Sequence, residues 1–291
     1  MRIEAYAKVN LTLEVFGRRS DGYHALRSVV MPISLADTLE IEATDDGTVT
    51  SDTGYADDLC VRAAKALRRA SDARPGAGAK IRVTKRIPAG GGLGGGSADA
   101  AATLIAANEL WKLGKSREEL AEIGVQVGSD VPALVLGGPV LMEGRGEKVS
   151  RLGVGRETGD GILEGGLNLV LANPGVFSST PEVYRNCRPR LPSDGAIVYN
   201  MCQALERGDL KGIAAGLVND LQEPAVKLHP EIRDALEALR AAGAEGVLMS
   251  GSGSTVFGLV PSESRGREMA AALTGKGFWA CAVKALDCPV V

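Results

Sequence analysis

Residues 3 to 15 alternate strictly between apolar and polar side chains. A period of two predicts a β-strand with one buried face. The polar face carries Tyr6, Lys8 and Asn10, which therefore project to the same side of the strand. From this pattern alone we expect a solvated outer face, so the alternation by itself assigns these three side chains no function.

Further apolar segments in the first half predict strands over residues 25–35, 38–43 and 79–86. Ser116 and Glu119 have the spacing of a capping box, which predicts that a helix begins there. The first half therefore mixes strands and helices, and the last of the three strands leads directly into a segment dominated by glycine.

The second half has the element order β-α-β-β-α-β of a ferredoxin-like sandwich. The pattern predicts a strand over 167–172, a helix from 230, strands over 246–249 and 255–260, a helix over 262–274 and a strand over 278–285. A polar, glycine-rich stretch from Gly153 to Gly166 separates the two halves. We therefore divide the chain, of the α+β class, into domains of residues 1–157 and 158–291.

The glycine-rich segment is the strongest local signal. Six of the seven residues from Gly90 to Gly96 are glycine, and Leu93 is the exception. Glycine adopts positive φ and lets a backbone approach a ligand closely, but it costs conformational entropy on folding. An alanine-rich helical pattern follows, with Ser97 as its predicted N-cap. Free N–H groups at a helix N-terminus bind anions, so the segment predicts a phosphate loop.

Two common phosphate loops do not fit this segment. Gly90, Gly92 and Gly95 match G-x-G-x-x-G, but a second helix follows where the dinucleotide fold has a strand. The Walker pattern needs a lysine after the loop, and none follows Gly96. A flexible linker is the remaining alternative, and the position between a strand and a helix argues against it.

Composition excludes several classes. The chain has 291 residues, 45% of them hydrophobic, and a formal net charge of -3, so we expect no nucleic-acid partner. No signal-peptide pattern and no apolar run of bilayer length is present, which predicts no membrane partner. The five cysteines are odd in number and lack metal-site spacing, which favours a reducing, cytoplasmic location.

Three further segments carry candidate chemistry. Asp130, in Gly-Ser-Asp-Val-Pro, either caps a helix or serves as a base in a cleft. Tyr23 and His24 leave a Ser-Asp-Gly turn together, where they could stack on a base, although ordinary packing explains them as well. The small glycine turn from Gly251 to Gly253, taken by itself, predicts a hairpin.

Together, three motifs resemble the GHMP kinase superfamily: Ala-Lys-Val-Asn-Leu, Pro-Ala-Gly-Gly-Gly-Leu-Gly-Gly-Gly-Ser and Gly-Ser-Gly-Ser-Thr. The resemblance implies a two-domain kinase fold, with an N-terminal α/β nucleotide-binding domain, a C-terminal ferredoxin-like α/β sandwich and a substrate cleft between them. Arg-Ser-Asp-Gly-Tyr-His and Gly-Ser-Asp-Val-Pro narrow it to members that phosphorylate a polyol linked to cytidine diphosphate, for isoprenoid precursors. Kinases of mevalonate, homoserine or sugars, or a nucleotide sensor without catalysis, are the alternatives.

The resemblance also implies roles for individual residues. Asp130 would be the base that takes the proton of the attacking hydroxyl, and Lys8 would stabilise the moving charge. ATP would be the phosphoryl donor, and Ser97 would lie near phosphate and a magnesium ion. The implied ATP-binding residues are Pro88, Ala89, Gly90, Gly91, Gly92, Leu93, Gly94, Gly95, Gly96, Ser97 and Ala98.

The implied substrate-binding residues are Asn10, Tyr23, His24, Thr180, Tyr184, Gly251, Ser252 and Gly253. Asn10 and Thr180 would lie at the polyol, and Tyr23, His24 and Tyr184 would recognise the cytosine. The chain departs from the family pattern at Ala98, where relatives often carry a second serine, and at Tyr184, where some have phenylalanine. The stretch from Gly153 to Gly166 resembles an insertion.

Overall fold

The computed structural model describes residues 1–153, 166–191 and 194–287. In chain order its strands are β1 Arg2–Asn10, β2 Thr12–Arg18, β3 His24–Thr44, β4 Val49–Ser51, β5 Gly78–Thr84, β6 Val140–Gly144, β7 Lys148–Arg151, β8 Asn168–Asn173, β9 Val218–Asn219, β10 Val247–Met249, β11 Val256–Val260 and β12 Trp279–Lys284. Its helices are α1 Leu59–Arg69, α2 Gly95–Leu110, α3 Arg117–Gly124, α4 Val131–Leu136, α5 Thr180–Asn186, α6 Ala196–Glu206, α7 Leu210–Gly216, α8 Gln222–Leu228, α9 Glu231–Ala241 and α10 Glu263–Thr274.

Strand β3 organises the first sheet. It is a single strand of 21 residues, where the sequence predicted separate strands over 25–35 and 38–43. The prediction was wrong because pairing continues through the two positions between them: Ala36 pairs with Tyr6 and Asp37 with Ala5 of β1. One edge of β3 pairs with β2 and β1, and the other pairs with β6 and β5.

The predicted strand over residues 3–15 is interrupted at Leu11, which separates β1 from β2. The register between β1 and β3 also shifts between Tyr6 and Lys8, as at a β-bulge. The expected solvated face is wrong for Lys8 and Asn10, which are buried with 3% and 4% exposure. Period two correctly placed these side chains on one face, but it cannot indicate what covers that face.

The second sheet confirms the ferredoxin-like prediction. Its strand order is β10-β11-β8-β12, and every pairing in it is antiparallel. Because α9 precedes β10 and α10 precedes β12, the chain runs β-α-β-β-α-β through this sheet. The strand β8 is buried at all six positions, as expected for a central strand between two layers.

Side chains cap the starts of α1 and α3. Asp58 accepts hydrogen bonds from the backbone N–H groups of Cys60 and Val61 at the start of α1. Ser116 and Glu119 form both bonds of the capping box at α3, which confirms that prediction. These caps satisfy donors that the first helical turn leaves unpaired.

The two halves of the chain both contribute strands to the first sheet. The short strand β9 pairs in parallel with β2, so the first sheet gains a strand from the second half. The predicted boundary between residues 157 and 158 lies outside the described residues, as does most of the stretch from Gly153 to Gly166, and the division stays a prediction. Within the described ranges, every helix is too short or too polar to cross a membrane.

Candidate active site

A cavity of about 940 Å³ lies where the first sheet, the glycine-rich loop and the second half of the chain meet. The loop lines it from Pro88 to Ser97 without a gap. The other predicted site residues that line it are Lys8, Asn10, Tyr23, His24, Asp130, Thr180, Tyr184, Gly251 and Ser252. Sequence positions more than two hundred residues apart therefore share one cavity.

The loop conformation depends on glycine at alternate positions. Gly90, Gly92 and Gly94 have φ angles of 64°, 74° and 70°, a region that residues with a Cβ atom seldom adopt. Helix α2 then begins at Gly95, with Gly94 as its N-cap. The prediction of Ser97 as N-cap was therefore wrong: the left-handed turn at Gly94 starts the helix earlier and places Ser97 in its first turn, where it lines the cavity.

The second half of the chain holds this loop in place. The N–H group of Thr255 donates to the carbonyl of Gly91 at 3.1 Å, and the hydroxyl of Ser250 donates to the carbonyl of Gly92 at 3.0 Å. The approach is close, since a Cβ atom at Gly92 would lie 2.1 Å from the carbonyl oxygen of Ser250. The carbonyl groups are thereby fixed in hydrogen bonds at the back of the loop.

Lys8 connects the first strand to the loop. Its backbone N–H group, at the register shift in β1, donates to the carbonyl of Leu93 at 3.0 Å. Its ammonium nitrogen donates to Asn10 Oδ1 at 2.8 Å and to the carbonyl of Gly92 at 3.0 Å. The same nitrogen lies 3.4 Å from Asp130 Oδ2, so the amine and the carboxylate form an ion pair.

Asp130 occupies the N-cap position of α4, but its side chain makes no capping hydrogen bond. Its carboxylate is directed to Lys8 and is 31% exposed. A Cβ atom at Gly94 would lie 3.5 Å from Asp130 Oδ2 and 3.1 Å from Lys8 Cε, so the ion pair borders the loop. Of the two interpretations of Asp130, the geometry favours a carboxylate that faces the cleft.

Asn10 is held by a chain of polar groups that no pattern in the sequence predicted. Its Nδ2 atom donates to Ser28 Oγ at 2.8 Å, and the Ser28 hydroxyl donates to the carbonyl of Thr12. Ser28 also lines the cavity. Because every step lies in buried surroundings, the amide of Asn10 has a fixed orientation between Lys8 and Ser28.

Two predicted aromatic residues meet across the cavity. The rings of His24 and Tyr184 stack, with centroids 5.6 Å apart and planes 27° apart. Burial, and then the charge of Arg18, lower the pKa of His24 below 6.5, which favours a neutral imidazole. Burial, and then the nearby Asp130, raise the pKa of the Tyr184 hydroxyl. Tyr23 lies at the rim, 55% exposed.

The turn between β10 and β11 forms the wall near Thr180. The hydroxyls of Thr180 and Ser252 share a hydrogen bond of 2.7 Å. Gly251 and Ser252 line the cavity, and Gly253 packs behind Gly92. The hairpin prediction is confirmed, since this turn joins two antiparallel strands.

Two features near the loop were missed from the sequence. The ring of Phe177, 70% exposed, covers Gly90 so closely that a Cβ atom there would lie 2.3 Å from it. The ammonium group of Lys85 is shared between the buried carboxylates of Asp37 and Asp99, the latter at 2.7 Å. Burial raises the pKa of Asp99 to about 7, although Lys85 opposes the shift. Neither feature has a local sequence signal, because each depends on partners that are distant in sequence.

Some predicted residues lie apart from the cavity surface. Ala98 is buried in the first turns of α2 and does not line the cavity. Among the described residues there is no cluster of three or more histidine, cysteine or acidic side chains that could hold a metal by themselves. An isolated hydroxyl such as that of Ser97, which lines the cavity, suits a magnesium ion that takes most of its ligands from phosphate and water.

Two family models match the chain. The model of the GHMP kinases N terminal domain matches residues 58–138, and the model of the GHMP kinases C terminal domain matches residues 201–278. Together they cover more than half of the chain, which therefore belongs to the GHMP kinases.

The more similar relatives share one description. A 4-diphosphocytidyl-2-C-methyl-D-erythritol kinase of Pelotomaculum thermopropionicum is 44% identical over 273 residues, covering 92% of this chain and 91% of the relative. A crystal structure of 4-(cytidine 5'-diphospho)-2C-methyl-D-erythritol kinase has a TM-score of 0.80 at 37% identity and covers 99% of both chains. Within the GHMP kinases, the chain belongs to the family of these proteins. A mevalonate kinase structure has a TM-score of 0.71 at 17% identity, a likeness of fold alone.

Proposed function

We propose that the protein transfers the γ-phosphoryl group of ATP to the 2-hydroxyl of 4-diphosphocytidyl-2-C-methyl-D-erythritol, a step of the non-mevalonate isoprenoid precursor pathway. One observation carries the proposal. A single cavity contains the glycine-rich loop, the stacked rings of His24 and Tyr184, and the ion pair of Lys8 and Asp130 that adjoins both. A triphosphate, a base and an acceptor hydroxyl would each have a suitable place there.

Phosphoryl transfer depends mainly on positioning and charge neutralisation. In this proposal the N–H groups of the loop and of the start of α2 bind the triphosphate, as helix N-termini bind anions. When magnesium is bound, it neutralises phosphate charge, and Ser97 would be its protein ligand. ATP use follows from membership of the kinase family, and an ATP-consuming reaction fits the predicted cytoplasmic location.

Asp130 would accept the proton of the attacking hydroxyl. Its carboxylate is free of capping bonds and 31% exposed, so a substrate can reach it. A carboxylate is a weak base at neutral pH, so it acts chiefly in the transition state, when the hydroxyl has become acidic. The ammonium group of Lys8, 3.4 Å away, would favour the negative charge that develops there.

The opposite part of the cavity suits the rest of the substrate. His24 and Tyr184, with Tyr23 at the rim, offer aromatic faces to a cytosine. Asn10 and Thr180 offer fixed polar groups to the polyol. A base-recognition site would be without purpose for mevalonate, homoserine or most sugars, which distinguishes the proposal from the other small-molecule kinases.

The test is a coupled assay of ADP release with purified protein, ATP, magnesium and a panel of alcohols. We expect turnover with the cytidyl substrate and little with mevalonate, homoserine or galactose. Turnover with mevalonate or homoserine alone would assign the protein to another kinase activity, and ATP binding without any turnover would favour a nucleotide sensor.

The role of Asp130 is tested with Asp130→Asn, which keeps the shape and removes the base. We expect kcat to fall by about 100- to 10,000-fold, the range of general base catalysis, with little change in the KM for ATP. Asp234→Asn, on the exposed face of α9, is the matched control and should leave kcat unchanged. A fall of less than tenfold in Asp130→Asn would refute the proposed base.

A further inference from the structure

Three arginine side chains line the cavity in the part that holds the aromatic residues: Arg18, Arg145 and Arg185. The loop and the ion pair of Lys8 and Asp130 do not use them. Within the ranges that the structure describes, none of the three guanidinium groups forms an ion pair with a carboxylate. Cations that line a cavity without a carboxylate partner are available to an anionic ligand.

Two of these arginines adjoin the stacked pair directly. Arg18 lies opposite His24 in the register of β2 and β3, and its charge contributes to lowering the pKa of His24. Arg185 follows Tyr184 in α5. The guanidinium of each is anchored through Nε alone, to the carbonyls of Gly22 at 3.0 Å and Pro181 at 3.3 Å. Their terminal nitrogens keep donors for another partner.

Arg145 adjoins the third aromatic residue. Its guanidinium carbon lies 5.2 Å from the centroid of the Tyr23 ring, within reach of a cation–π interaction. The two carboxylates recorded at this rim, Asp21 and Glu147, both form ion pairs with Arg19, at 3.1 Å and 3.2 Å. The charge of Arg145 also helps to lower the pKa of both carboxylates, but its guanidinium forms an ion pair with neither, so its terminal donors remain available.

The rim as a whole is positive. Arg18, Arg145 and Arg185 line the cavity, and Arg19 lies beside them in an ion-paired group with Asp21 and Glu147. These four guanidinium groups and two carboxylates leave two positive charges in excess. The ion pair of Lys8 and Asp130 adds nothing to this balance, since its charges cancel. An excess of two positive charges beside three aromatic rings matches a nucleoside diphosphate, whose base stacks and whose linked phosphates carry negative charge.

We infer that Arg18, Arg145 and Arg185 bind the diphosphate that joins cytidine to the polyol of the substrate. The inference rests on the proposed function, because the diphosphate is part of the proposed substrate. Each arginine adjoins one of the aromatic residues assigned to the base, whereas Asn10 and Thr180, assigned to the polyol, lie nearer the reacting groups. The diphosphate must connect the two, and it crosses the rim where the free donors are.

The test compares ligands with and without the diphosphate. Binding of CDP and of cytidine to the full chain is measured by calorimetry, with the ATP site saturated by magnesium and a non-hydrolysable ATP analogue. We expect wild-type protein to bind CDP more tightly than cytidine. Arg18→Gln, Arg145→Gln and Arg185→Gln should each weaken CDP binding about fivefold to tenfold, as for exposed charged hydrogen bonds, and leave cytidine binding unchanged.

Arg267→Gln is the matched control, because Arg267 lies on α10 in an ion pair with Glu263 and does not line the cavity. It should change neither affinity. Thermal unfolding of each variant shows that the fold is retained.

The possible outcomes separate this inference from the proposed function. If an arginine variant weakens cytidine and CDP equally, that arginine supports the aromatic residues and the diphosphate assignment is wrong. The diphosphate assignment is also wrong if CDP binding is unchanged in all three variants. If wild-type protein binds neither CDP nor cytidine, the proposed substrate itself is wrong.

Discussion

Replacement of Gly92 by alanine tests the structural account of the loop most directly. Gly92 has a φ angle of 74°, and its added Cβ atom would lie 2.1 Å from the Ser250 carbonyl oxygen and 2.9 Å from the Gly253 nitrogen. Real Cβ atoms do not approach backbone atoms so closely, so the turn from Gly251 to Gly253 or the loop itself must move. Either movement disturbs the hydrogen bonds between them.

The expected loss of stability in Gly92→Ala has two causes. A left-handed conformation costs a residue with a Cβ atom about 1–2 kcal/mol. Displacement of the turn weakens the bond from Ser250 to the Gly92 carbonyl, which is 3.0 Å long, by about 1 kcal/mol. The variant should therefore lose about 2–3 kcal/mol of its free energy of unfolding.

Gly96→Ala is the matched control within the same loop. Gly96 lies in α2 without a positive φ, and its Cβ atom would meet only Leu59 Cδ1, at 3.4 Å. Alanine within a helix stabilises the folded state by about 0.5–1 kcal/mol relative to glycine, so this variant should be slightly more stable than wild type.

The assay is urea unfolding of both variants without ligand, with tryptophan fluorescence as the probe of the transition. The two substitutions add the same methyl group four residues apart, and the expected changes have opposite signs. If the free energy of unfolding of Gly92→Ala lies within about 0.5 kcal/mol of the wild-type value, the described packing of the loop against the turn is incorrect.

Three further changes test other parts of the site. Asn219→Ala removes the bonds that Nδ2 donates to the carbonyls of Met249 at 2.7 Å and Gly251 at 2.8 Å; unfolding in urea should show a loss of about 2–3 kcal/mol, and a loss below 0.5 kcal/mol would contradict the role of these bonds. Because burial and Arg18 lower the pKa of His24 from its usual 6.5, the imidazole is mainly neutral at pH 7 and above. The KM for the cytidyl substrate should be constant from about pH 8 to 7 and rise at lower pH; a rise between pH 7 and 8 would refute this. Lys8→Met should lower kcat at least about 100-fold, since it removes a charge from the reacting groups; a kcat near that of wild type would exclude the proposed role.

The sequence predicted the local chemistry well. The alternation in the first strand placed Lys8 and Asn10 on one side, and their side chains do meet, at 2.8 Å. The spacing of Ser116 and Glu119 predicted a capping box that the structure contains. The order of elements after residue 166 predicted a ferredoxin-like sheet. Each of these depends on residues within one or two elements, where periodicity and capping are informative.

What the sequence could not predict depends on contacts between distant segments. Burial of Lys8 requires the loop above it, and the loop requires Thr255 and Ser250 behind it. Gly94 rather than Ser97 is the N-cap because of backbone angles that the sequence left open, since six of the seven residues before Ser97 are glycine. Propensity favours serine as a cap, but the loop conformation decides where the helix can begin.

The bond from Ser250 to the Gly92 carbonyl joins residues 158 positions apart. A ribosome completes the glycine run early, yet it must add the whole segment up to Ser250 before the residues that fix the conformation of the run emerge. A nascent polypeptide therefore carries the loop for much of its synthesis without the ability to bind ATP in the final geometry. Nucleotide affinity should therefore appear only after Ser250 and Thr255 have left the ribosome.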